Sequence, residues 1–159
     1  MSAPEVGSPA PDFDLPADDG SRVRLADLRG KAVVLYFYPK DATPGCTTEA
    51  CDFRDRHAQL TELGAVVLGV SADSLAMHSR FRAKQGLPFL LLSDPEHAAL
   101  QAYAAWGDKV LYGKQYQGIL RSTYVIDRDG RIAAAWPKVR VTGHADAVLA
   151  AVQALPAAS

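Results

Sequence analysis

The chain has 159 residues, 48% of them hydrophobic and 22% charged, which suits one buried core and excludes disordered, fibrous and collagen-like chains. Lys and Arg number 17 against 18 Asp and Glu, and the formal charge of −1 gives no footprint for nucleic acid or an anionic membrane. The start, Met1 to Gly7, lacks the basic and apolar regions of a secretory peptide, and the longest apolar run, Ala32 to Tyr38, is far short of the roughly 20 residues that cross a bilayer. One domain over 1–159, in a reducing and cytoplasmic compartment, is the expectation.

In chain order, Phe13 to Leu15 and Val23 to Leu25 flank Asp19-Gly20 and predict an N-terminal β-hairpin. Ala32 to Tyr38 follows as a β-branched and aromatic run without alternation, the pattern of a central strand covered on both faces. Pro44 to Leu63 predicts a helix with Ala50, Phe53, His57 and Leu60 on one stripe. Ala65 to Val70 is a second apolar strand. Leu75 to Gln85 is a helix opened by Asp73-Ser74 and closed by Gly86 and Pro88. Strands at 89–92 and 123–126, a turn at Asp129-Gly130, a strand at 131–136 and helices at 96–103 and 145–154 complete the series. Strands alternating with helices predict an α/β sandwich, largely parallel at its centre, with hairpins at its edges.

The chemistry lies in Pro39-Lys-Asp-Ala-Thr43-Pro44-Gly45-Cys46-Thr-Thr-Glu49-Ala-Cys51. Thr43 is a good N-cap and Pro44 suits the first helical position, which puts Cys46 in the first turn. Unpaired N–H groups and the helix dipole favour a thiolate there. Helical spacing sets Cys46 on the stripe of Ala50 and Phe53, which equally suits a small buried core cysteine. Cys51, the second of only two cysteines, is five residues on. On an ideal helix that separation is about 7.5 Å of rise and about 140° of rotation, or roughly 8.5–9 Å between Cα atoms. A disulfide needs roughly 4.4–6.8 Å, so the pair cannot bond while the helix is intact. A zinc site is poorly supported, since C-x4-C lacks a second ligand pair and His57, His78, His97 and His144 show no ligand spacing.

Pro39-x-x-x-Thr43-x-x-Cys46 after an apolar strand resembles the active-site signature of the peroxiredoxins. Cys51 in the same helix is similar to the PrxQ, or bacterioferritin-comigratory-protein, branch. Val6 to Leu15, Val70-Ser-Ala-Asp-Ser74, Leu87-Pro88-Phe89, Leu92-Ser93-Asp94, Trp106-Gly107, Tyr112-Gly113 and Arg121-Ser-Thr-Tyr-Val-Ile-Asp127 extend the resemblance along nearly the whole chain.

The resemblance implies a thioredoxin-like fold, a central mixed sheet flanked by helices, and no cofactor. It implies Cys46 as the nucleophile toward a hydroperoxide, with Cys51 forming a disulfide with the resulting sulfenic acid and thioredoxin or glutaredoxin as reductant. It further implies that Arg121 and Thr43 hold the peroxide, that N–H groups near Gly45 and Cys46 assist, that Pro39 shields the thiolate, and that Glu49 orients the arginine. A monomer is expected. Full ionisation of a thiol of pKa ~8.5 gains only about 30-fold at pH 7, roughly 2 kcal/mol, so charge stabilisation at the leaving oxygen must supply the larger share.

Plainer roles remain open from the residues alone. Arg121 suits a solvated strand end, Thr43 a cap, Glu49 a first-turn carboxylate and Pro39 a strand terminator. His57, Tyr38 and Trp106 read as packing residues. Two other functions share the scaffold. Thioredoxin-fold thiol–disulfide oxidoreductases use C-x-x-C, but here Glu49 occupies the fourth position; a chaperone-like interaction domain would need neither cysteine.

Overall fold

The computed structural model describes residues 3–156, so the ends of the expected 1–159 domain, including Met1 and Ser2 of the start, lie outside the described residues. Among the described residues nine strands and four helices follow one another: β1 (Asp14–Pro16), β2 (Arg22–Arg24), β3 (Ala32–Phe37), α1 (Pro44–Glu62), β4 (Ala65–Ser71), α2 (Leu75–Gln85), β5 (Leu90–Ser93), α3 (Ala98–Ala102), β6 (Trp106–Leu111), β7 (Lys114–Ile119), β8 (Ser122–Ile126), β9 (Ile132–Trp136) and α4 (His144–Gln153). A 3₁₀ turn at Leu25–Leu28 links β2 to β3.

Five strands form the central sheet in the order β5-β4-β3-β8-β9. β3, β4 and β5 run parallel, whereas β8 pairs antiparallel with both β3 and β9. The centre is therefore mixed, because the chain returns to β3 through a long segment that reverses its direction. The N-terminal hairpin is a separate two-stranded sheet, not an edge of the main one, and touches it through the Ala17–Leu92 bridge. A third sheet, the β6–β7 hairpin, has no counterpart in the predicted series. Its mostly polar and exposed sequence, Lys114-Gln-Tyr-Gln, lacks the apolar run that marks the other strands.

β3 is buried along its whole length because its two faces enter different cores. Ala32, Val34 and Tyr36 pack with Ala50, Phe53 and Leu60 of α1 and Val148 and Val152 of α4. Val33, Leu35 and Phe37 pack with Phe13 and Leu15, with Leu100 of α3, and with Tyr103. Each large apolar side chain so buried contributes about 1.5–3 kcal/mol. Gly69 of β4 is fixed by this packing: a Cβ there would lie 2.8 Å from the Tyr36 ring and 2.9 Å from Leu91.

α2 follows its sequence signals closely. Ser74 accepts a hydrogen bond from the Met77 N–H (3.2 Å), and Gly86 closes the helix in the left-handed region at φ 62°.

Candidate active site

β3 ends at Phe37, and after the Pro39–Thr43 loop the chain enters α1 above the same end of the sheet. Because β8 is antiparallel to β3, its start lies where β3 finishes, with Ser122 opposite Phe37. That pairing carries Arg121 to the first turn of α1 across 75 positions of sequence.

Cys46 and Arg121 meet there. Arg121 Nη2 donates to Cys46 Sγ at 3.3 Å, and Arg121 Nη1 donates to Glu49 Oε1 at 2.7 Å. One guanidinium thus bridges the thiol and a carboxylate one turn further along the helix. Positive charge at this distance, added to the helix N-terminus, stabilises negative charge on sulfur. Cys46 is only 1% exposed. Gly45 permits this close approach, since a Cβ at that position would stand 3.2 Å from Arg121 Nη2.

Glu49 is 1% exposed, and burial pushes its carboxyl up to about 7 against the opposing pull of Arg121. Its second oxygen, Oε2, has no hydrogen-bond partner among the described residues, which is why one guanidinium contact does not offset the burial. Burial also disfavours the Arg121 charge, but Glu49 and Cys46 outweigh it and hold the guanidinium cationic. The folded protein therefore keeps a proton on Glu49 that the unfolded chain releases from its ordinary value of 4.5. Stability present at low pH is lost as pH rises through that window to about 7, by roughly 3 kcal/mol at 1.36 kcal/mol per unit. Glu49→Gln is expected to flatten this slope, so that urea unfolding at pH 5 and pH 8 differs less than in the parent; an unchanged difference would assign the slope to other groups.

The other predicted residues are placed as follows. Thr43 is the N-cap by backbone conformation, but its hydroxyl donates to the Lys40 carbonyl at 2.8 Å and caps no helix N–H. The cap role of its side chain is thereby corrected: the Lys40 carbonyl lies within reach and accepts the hydroxyl's hydrogen bond. Pro39 is half-buried at the exit of β3. Cys51 is half-buried further along the unbroken α1, with Sγ 3.5 Å from Gln85 Oε1 of α2, and both cysteines are free thiols. Asp41, a loop residue that the sequence did not mark, is buried and hydrogen-bonded to His78 and Tyr38. Only its place between Pro39 and Thr43 could have drawn notice. His144 is pushed down to about 4 by burial and by the Arg121 charge, and so stays neutral beside Thr123.

Comparison with known proteins places the chain first by class. The solved structure of the Xanthomonas campestris bacterioferritin comigratory protein, described by its alkyl peroxide reduction activity, matches with a TM-score of 0.88 at 44% identity over 94% of this chain and 98% of that one. A cysteine-to-serine mutant of Xylella fastidiosa PrxQ matches with a TM-score of 0.91 at 37% identity, covering 97% and 98%. These are thiol-dependent peroxidases of thioredoxin-like fold. A family model described as AhpC/TSA matches residues 6–135, and Peroxiredoxin Bcp of Bacillus subtilis is 54% identical over 88% of this chain and 89% of its own. The chain belongs to the AhpC/TSA family, as a thiol-dependent peroxidase of the Bcp/PrxQ branch of peroxiredoxins. Membership implies a hydroperoxide substrate and a thiol reductant. Among the described residues no helix is long and apolar enough to cross a membrane.

Proposed function

We propose that the chain acts as one catalytic domain in which Cys46 reduces hydrogen peroxide and organic hydroperoxides and Cys51 resolves the product. The observation that carries this reading is the Arg121 guanidinium bridging Cys46 and Glu49. The Cys46 thiolate attacks the terminal peroxide oxygen. An S–O bond forms as the O–O bond breaks, and the leaving oxygen takes a proton to become water or an alcohol. Arg121 stabilises the charge moving onto that oxygen and Thr43 holds the peroxide through its hydroxyl, with the N–H groups of Gly45 and Cys46 as further donors. Pro39 limits water at the sulfur. Glu49 orients the guanidinium.

The Cys51 thiol then attacks the sulfenic sulfur, an S–S bond forms, and the hydroxyl leaves as water. α1 is continuous over both cysteines, so its N-terminal turns must unwind first. The remainder of α1 is well anchored: Phe53 is fully buried, Arg54 Nη1 donates to Gln85 O at 2.8 Å, and Arg56 pairs with Asp146 at 2.6 Å. Unwinding is therefore confined to the segment before Phe53. An external dithiol, thioredoxin in this reading, reduces the disulfide by exchange and restores both thiols. The enzyme works as a cytoplasmic monomer in this reading, the compartment being supported by two closely spaced cysteines in a chain of a size that needs no disulfide staple.

Mass spectrometry of the intact chain after one equivalent of peroxide tests the scheme. The expected product has lost two hydrogens, located at residues 46 and 51; a stable oxygen adduct without that loss would reject Cys51 as the partner. Cys51→Ser is expected to keep the first oxidation at the parental rate. In excess peroxide its Cys46 should advance to sulfinic acid, read as a gain of two oxygens. Normal cycling of that variant with thioredoxin would contradict the resolving role.

A further inference from the structure

The loop between β3 and α1 is held from beneath by a buried polar cluster that the chemistry above does not use. Asp41, at its centre, is 3% exposed and His78 of α2 is fully buried. Asp41 Oδ2 lies 2.6 Å from His78 Nδ1, and Asp41 Oδ1 accepts from the Tyr38 hydroxyl at 2.5 Å. His78 Nε2 faces the Leu92 carbonyl of β5 at 2.9 Å. The Asp41 backbone N–H donates to Asp73 Oδ2 at 2.8 Å, and the same oxygen accepts from the Ser71 hydroxyl at 2.7 Å.

Both ring nitrogens of His78 face oxygens, the Asp41 carboxyl and the Leu92 carbonyl, a pattern that favours the imidazolium. Burial is the largest single effect and opposes that charge, but the hydrogen bond and charge of Asp41, the Leu92 carbonyl and the Asp73 charge together raise the histidine above its ordinary value. Asp41, Asp73 and His78 come within 4.8 Å of one another, as cation ligands do. Each facing atom is already engaged in a hydrogen bond, however, and the 2.6 Å contact leaves no room for an ion between Asp41 and His78.

A buried ion pair is seldom the most stable filling for its volume, since desolvation offsets its attraction. What this one does is fix geometry. Ala42, next to Asp41, is held in the left-handed region at φ 65°, which persists in a non-glycine residue only where the surroundings impose it. The residue after Ala42 is Thr43, and Cys46, in the first turn of α1, lies three positions further on.

We propose that the buried Asp41–His78 pair, clamped by Tyr38 and Asp73, sets the position of the Pro39–Thr43 loop, and through it aligns Thr43 and the first turn of α1 for attack on the peroxide. Asp41 and His78 are positioning residues; they touch neither substrate nor sulfur. The inference rests on Cys46 being the peroxidatic thiol and adds what holds its loop in place.

Two rates on the same protein test it: oxidation of Cys46 by hydrogen peroxide, which needs an aligned O–O bond, and alkylation of Cys46 by iodoacetamide, which does not. In Asp41→Asn and in His78→Gln the ratio of the first rate to the second is expected to fall about tenfold, since a misplacement of the order of 1 Å can cost up to about 10²-fold. The double variant should fall no further than the worse single one, because both changes break the same contact. Tyr38→Phe keeps the buried ring and removes one donor to Asp41, so it decides the matter if either variant fails to fold. A fall of about threefold or more supports the proposal, and a smaller change overturns it whatever happens to Tm. A purely structural role would lower Tm and leave the ratio alone. Cys46→Ser separates the two claims: peroxide consumption that survives in it removes the peroxidase reading itself, whereas a reactive parent with unaltered ratios in the variants removes only this inference.

Discussion

Cys46→Ser is expected to lose peroxide reduction by on the order of 10³-fold or more, the scale seen when a nucleophile is removed from a preorganised site. Serine nearly matches the volume of cysteine, so the packing against Ala50 and Phe53 and the approach of Arg121 should survive. What disappears is the chemistry. A hydroxyl does not ionise near neutral pH even beside a guanidinium, and its oxygen cannot pass through a sulfenic acid to a disulfide. Peroxide consumption with thioredoxin or dithiothreitol, measured beside Tm, checks this. A folded variant that retained activity within about tenfold of the parent would exclude Cys46 as the nucleophile.

Arg121→Leu should reduce the peroxide rate constant by about 10²–10³-fold, the cost of removing a donor aimed at developing oxyanion charge. The guanidinium has two partners, so the substitution acts twice. Cys46 loses the charge 3.3 Å from its sulfur, and Glu49 loses its only hydrogen bond among the described residues, its second oxygen being already without one. Stranding one member of a buried pair costs about 3–5 kcal/mol when the remaining group stays charged. Here the cost is smaller, because Glu49, already pushed up to about 7, takes a proton instead. A second substitution separates the two losses. In Arg121→Leu/Glu49→Leu the buried carboxyl is gone, so stability should recover toward the parent while the rate stays low. Recovery of the rate together with stability would mean that Arg121 acts only as a structural partner for Glu49.

Elements with strong local chemistry were legible as sequence. α2 was readable at both ends, since Ser74 and Gly86 act within a few residues of the helix they bound. β3 was readable as a central strand because a segment covered on both faces has no solvent side to alternate with. The short connections carry weaker local signals. The helix expected at 96–103 shrinks to Ala98–Ala102, and the β6–β7 hairpin leaves no mark in the sequence, because its exposed strands carry little hydrophobic signal and are held by pairing with each other. Thr43 is the residue before the helix, as its sequence position implies, yet its hydroxyl turns to the Lys40 carbonyl, a choice made by loop geometry.

The sequence by itself determined where the Cys46 thiol stands: Thr43 and Pro44 start a helix, so Cys46 falls in its first turn, and five residues of helical spacing keep Cys51 out of bonding range while the helix is intact. Only the tertiary structure decided which charges surround it. The antiparallel return of β8 brings Arg121 from 75 positions away, and the packing of α2 brings His78 beneath the loop from 37 positions beyond Asp41. Helical spacing is a local property of the backbone, whereas the partner of a buried charge is set by which distant strands and helices meet in the folded core.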